Sequence, residues 1–74
     1  MDIYDKANQI KSQQDFISFL KLLSENLKND SSDWDNDSLD TFLEGLHGYC
    51  GDIEVTNPDW KTFAQVLLAA RVYE

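Results

Sequence analysis

Phe16, Phe19, Leu20, Leu23 and Leu27 recur at i, i+3, i+4, i+7 and i+11. That spacing gathers all five on one face of an α-helix and would scatter them over both faces of a strand. Lys21, Glu25 and Lys28 take the other side. The same period returns in Leu39, Phe42, Leu43, Leu46 and Tyr49 or Cys50, and again in Trp60, Phe63, Ala64, Leu67 and Ala70, where Val66, Leu68 and Val72 widen the stripe. Ile3, Ala7 and Ile10 repeat it briefly at the N-terminus. A chain patterned this way folds as an all-α protein. We expect a small compact bundle of three main helices plus a short N-terminal helix, in a single domain spanning residues 1–74. The last stripe is the most apolar and predicts the central helix.

Local chemistry sets the helix ends. Ser12 followed three residues later by Asp15 is a capping box in its aspartate version, which predicts a helix from Gln13 to Lys28. Residues 29–33 are short and polar and read as a connection. For the next helix Asp37 is the expected N-cap, with Asp40 at the third helical position and Ser38 the alternative one residue on. Gly45 and Gly48 each weaken that helix by about 1 kcal/mol relative to Ala, so close packing at Gly45 would be the reason to keep it. Residues 51–57 break the pattern. Ile53 and Val55 alternate with polar neighbours, but a lone strand has nothing to pair with, so an irregular loop is expected. Asn57 and Pro58 then serve as N-cap and first residue of the last helix, with Asp59 favourable at the positive end of its dipole. Glu74 would oppose that dipole at the other end.

Seventy-four residues bury only about 60–65% of the surface an unfolded chain exposes, so stability is modest. Cys50 is the sole cysteine, which excludes an internal disulfide and suggests a reducing, cytoplasmic location. The longest apolar run, Val66 to Ala70, is far short of the roughly 20 residues a membrane span needs. Six basic residues against fourteen acidic ones leave a net charge of −8. Direct nucleic-acid binding is therefore not expected, and a negative face that meets a basic protein partner is.

Among candidate sites, Asp33-x-Asp35-x-Asp37 with Glu44 eleven residues after Asp33 matches the spacing of oxygen ligands in a helix–loop–helix calcium site. Two positions depart from it. Ser38 stands where the loop needs Gly, and Asp40 where an apolar residue is usual. The plainer reading is an acidic helix start stabilised by the dipole. Asp40 and Glu44 lie at i and i+4, but no nucleophile or cation accompanies them, so they read as a solvated face. His47 and Cys50 read as a partly exposed helix residue and a buried or half-buried thiol. No catalytic residue and no cofactor are implied. Trp34, ahead of a helix cap in an acidic segment, is either a hydrophobic staple against the next turn or an exposed anchor for a partner.

Three blocks together carry a family resemblance: Ile10 with Asp15-Phe16-x-x-Phe19-Leu20; Trp34-x-Asn36-x-x-Leu39-x-x-Phe42-Leu43-Glu44; and Trp60-x-x-Phe63-Ala64-x-x-Leu67-x-Ala69-Ala70-x-x-Tyr73-Glu74. The chain resembles a family of short, acidic bacterial proteins that form a domain of unknown function. The resemblance implies a stand-alone bacterial domain and brings no activity, cofactor or partner with it. Its pattern centres on Trp34, Asn36, Leu39 and Glu44 and does not require Asp33 or Asp37.

The expectation for function is a non-catalytic protein-interaction module of immunity or regulatory type, with Trp34, Asp35, Asp37, Asp40 and Glu44 at the contact. Immunity proteins that neutralise basic nuclease toxins fit the size and charge by analogy. The alternative is calcium binding over residues 33–44 by Asp33, Asp35, Asp37 and Glu44. A symmetric homodimer through the wide stripe of the last helix is the expectation held open for assembly.

Overall fold

A computed structural model describes residues 2–73; Glu74 lies outside the described residues. Four helices follow one another: α1 (Ile3–Asn8), α2 (Gln13–Asn29), α3 (Leu39–Asp52) and α4 (Trp60–Ala70), with a 3₁₀ turn at Ser31–Asp33. Among the described residues there is no strand. The all-α architecture of three main helices and a short first one is thus as expected, and the irregular loop covers residues 53–59, because α3 runs on through Gly51 and Asp52. No helix among the described residues is long and apolar enough to cross a membrane.

Four short side chains start the four helices. Asp2 accepts from the Asp5 N–H at 2.9 Å, and Ser12 from the Asp15 N–H at 3.1 Å. The return bond of the Ser12 box is displaced by one residue, since Asp15 accepts from the N–H of Lys11. The third start uses the alternative cap, and the fourth differs from expectation. Ser38 caps α3 through the Thr41 N–H at 3.2 Å, and Asp37 stays outside. Asp59, and neither Asn57 nor Pro58, caps α4. Its Oδ1 takes both the backbone N–H of Thr62 at 2.9 Å and the Thr62 hydroxyl at 2.8 Å. The two bonds that Thr62 offers Asp59, three residues on, place the cap there and start the helix two residues later than Asn57 would.

That cap has a pH signature. The Thr62 backbone N–H, then its hydroxyl, hold the Asp59 carboxyl below its ordinary value, with Lys61 adding to the effect. A carboxyl more acidic when folded adds stability above its unfolded pKa and loses it as pH falls through its folded pKa. Denaturation series between about pH 5 and pH 2 should therefore show Asp59→Asn flattening the acid slope of stability. An unchanged slope would mean the cap does not form in solution.

α4 is the centre, as its composition predicted: α1, α2 and α3 each pack on it. Ala64 and Ala70, both fully buried, let neighbours come close, and Leu68 fills the space between. Ala7, Ile10, Phe19, Leu23 and Trp34 complete the core. Three elements on one helix account for part of the breadth of its stripe. At its N-terminal end Trp60 and Phe63 stay partly exposed beside Phe16, with ring centroids 5.3 and 6.4 Å from the Phe16 ring. The whole measures 29 × 28 × 17 Å. A slab this thin holds two layers of helices at the usual 8–10 Å spacing and encloses little, so many large apolar side chains remain in reach of solvent.

Candidate functional site

The segment between α2 and α3 organises the candidate site. Asp33 donates its N–H to the Asp30 carbonyl and Trp34 to that of Ser31, which closes a tight turn after α2. Residues 34–37 then alternate, with Trp34 and Asn36 turned inward and Asp35 and Asp37 outward. Trp34 is only 9% exposed. Its indole N–H donates to Asn26 Oδ1 at 2.6 Å, and its ring stacks on Phe42 at 5.6 Å between centroids. Trp34 therefore packs on the following helix, as a staple does, and is no protruding anchor.

Asn36 closes the end of α4. The last carbonyls of a helix have no partner within it. Here the Asn36 backbone N–H donates to the Arg71 carbonyl at 2.8 Å, and its side-chain amide donates to the Ala70 and Tyr73 carbonyls at 2.8 Å each. Gly45 makes this approach feasible. A Cβ there would lie 2.7 Å from the Ala70 carbonyl oxygen and 2.7 Å from Asn36 Nδ2.

Sequence reasoning passed over the residue at the centre of this arrangement. Arg71, the single arginine, is 2% exposed. Its Nε donates to the Leu68 carbonyl, one terminal nitrogen to Asn26 Oδ1 at 2.9 Å, and the other to the Tyr4 hydroxyl at 2.8 Å. The guanidinium also sits 5.4 Å from the Tyr4 ring centre and 5.7 Å from that of Trp34. One side chain thus joins α1, α2, the connecting segment and α4. The available signal was a lone arginine at the end of the most apolar stretch, where a surface cation has no obvious use.

Because α3 turns Gly45 toward α4, one side of its apolar stripe faces away from the core, while Phe42 and Leu46 stay half-buried. Leu39 is about a third of a turn from Gly45 on the helix. It is 75% exposed, and Leu43 is 51% exposed. Both were expected in the core. Cys50 on the same stripe is likewise exposed. α2 and α3 rest on α4 without packing on each other. Between them lies an apolar groove of about 410 Å³, with Leu23, Trp34, Phe42 and Leu67 contributing to its lining along with Leu20, Leu27 and Leu39. Asp37 is the one charged residue lining it.

A family model for proteins of unknown function matches residues 12–74. The chain belongs to the DUF7660 family. The DUF7660 match opens at the cap of α2, so α1, with the Tyr4 hydroxyl that Arg71 bonds, lies outside the matched stretch. No curated protein and no solved structure matches the chain.

The candidate carboxylates of this DUF7660 protein do not share one cleft. Asp37 borders the apolar groove, while Glu44 lines a separate cleft with Thr41, Gly48, Asp52 and Tyr73. Asp33, Asp35 and Asp40 are exposed along the segment and the first turn of α3. Among the described residues no three His, Cys, Asp or Glu side chains converge as a metal site would require. The calcium spacing at Asp33, Asp35, Asp37 and Glu44 is consequently not gathered into a ligand shell. Its last position is drawn into α3, whose helix begins at Leu39.

Proposed function

We propose that this DUF7660 protein is a non-catalytic protein-interaction module, acting in a bacterial cytoplasm as an immunity-type or regulatory partner of a more basic protein. Its docking surface is the groove between α2 and α3 together with the acidic edge formed by Asp35, Asp37 and Asp40. Trp34 supports that surface from beneath, and Glu44 belongs to the other side of α3. The observation that carries the reading is Leu39, a leucine 75% exposed at the mouth of an apolar groove in a chain of charge −8. Contiguous exposed apolar surface rimmed by polar residues marks interaction sites more often than free surface. The lone thiol suits a reducing compartment.

The test is affinity capture from the native host with the wild-type chain and with Leu39→Asp. Leu39 contributes little to the core, so the variant should keep its fold by circular dichroism. A partner held through the groove should be lost or weakened by about 30-fold or more, the scale of a hot-spot residue. Retention of every partner at full strength would remove the groove from consideration.

A further inference from the structure

We infer that the α2–α3 groove seats one amphipathic helix of the partner, carrying apolar residues at i, i+3 or i+4, and i+7 with Lys or Arg along one flank. The inference rests on the groove being the docking surface and specifies what fills it.

Shape comes first. The α2 wall runs from Leu20 to Leu27. Seven residues at 1.5 Å each give about 10 Å, or two turns, enough for two or three apolar side chains of a helix lying alongside. Both walls are helices whose backbone groups bond within themselves. An extended peptide would find no strand edge to pair with there, whereas a helix brings its own backbone bonds and needs only side-chain contact.

Charge decides between occupants. From Asp30 to Glu44 the chain carries six carboxylates and no basic residue. A second copy would bring the same −8 and the same acidic edge against the first, so self-association through the groove is opposed. A basic partner is attracted. The attraction is one-sided, because Lys21 and Lys28 fall on the outer side of α2, roughly a quarter-turn from its groove-lining leucines. The cationic flank of the guest should therefore face the Asp35–Asp37 edge.

Three synthetic peptides of 14 residues test this by calorimetry and amide-shift mapping. One has leucines at helical spacing with lysines and alanines between, one is the same composition permuted to destroy the stripe, and one carries glutamate for lysine. The first should bind at least tenfold more tightly than the other two, with shifts at Leu20, Leu27 and Leu39. Leu39→Asp should weaken it about tenfold, Asp35→Asn with Asp37→Asn severalfold, and Lys21→Gln with Lys28→Gln should strengthen it. Equal binding of the permuted or acidic peptide overturns the inference. So does a concentration-dependent dimer in sedimentation that Leu39→Asp dissolves. If a protein partner depends on Leu39 but no helical peptide binds, the helix is wrong and the docking surface stands. If the partner ignores Leu39→Asp, the surface itself is wrong.

Discussion

Arg71→Ala should lower the stability of this protein by about 3–4 kcal/mol, a large part of the roughly 4–11 kcal/mol that a chain of this length has. Two effects compete in setting that number. Burying a guanidinium costs several kcal/mol of hydration, and its hydrogen bonds go to a carbonyl, an amide and a phenol, all neutral. Against that stand charge-assisted hydrogen bonds worth about 1.5–3 kcal/mol each and the stacking on Tyr4 and Trp34. Truncation to Ala forfeits all of these and leaves a cavity where four elements meet.

Arg71→Met separates the two contributions, since it keeps most of the volume and avoids the hydration cost. We expect a loss of only about 1–2 kcal/mol for Met. Arg71→Lys should fall nearer to Ala, because a point charge cannot reach the Leu68 carbonyl, Asn26 and Tyr4 at once. Urea melts of the three variants give the order Met, then Lys, then Ala. Met and Ala proving equally damaging would show that directed hydrogen bonds, and not packing, hold the junction. Tyr4→Phe should matter less, because Tyr4 is 55% exposed and its hydroxyl is not confined to the interior.

Arg71 also marks the boundary of what periodicity can disclose. The 3.6-residue period identified α2 and α4 and the short α1, and the Ser12 cap was legible because no rival acceptor adjoins it. Where two good caps stand side by side, local chemistry does not choose. At Asp37 and Ser38 the choice follows from Asn36, whose tie to the end of α4 fixes where the chain can begin to coil. Periodicity also says which residues share a face of α3 without saying which face meets the core. Leu39 and Leu43 were assigned inward on hydrophobicity, whereas the glycine face won because it alone admits a carbonyl at close range. The groove is the direct result of that rotation, so its existence was not legible from any single stripe. Of the two readings open for Trp34, staple and partner anchor, its burial favours the first, and its bond to Asn26 and its place beneath Arg71 depend on contacts 8 and 37 residues away in sequence. No local pattern encodes such contacts.

Gly45→Ala tests whether that rotation is real. In an exposed helix this change raises stability by about 1 kcal/mol. Gly51→Ala, in the last turn of α3 with open space around it, should behave that way. Gly45→Ala should do the reverse and cost about 2–4 kcal/mol, which for a domain of this size lowers the melting temperature by roughly 10–25 °C. The added methyl meets the Ala70 carbonyl oxygen at 2.7 Å, Asn36 Nδ2 at 2.7 Å and the Tyr73 carbonyl oxygen at 3.1 Å. Two of these are backbone atoms and cannot swing aside. The third is the amide that satisfies both carbonyls, so yielding there breaks the closure of α4. A double-mutant cycle makes the expectation sharper. With Asn36 already replaced by Ala, the Asn36 amide is gone and its hydrogen bonds are already lost, so Gly45→Ala should cost less than it does alone. Strict additivity would mean the clash is with α4 alone. A stabilising Gly45→Ala would mean that α3 does not press its glycine face on α4, and that Leu39 has no reason to stand in solvent.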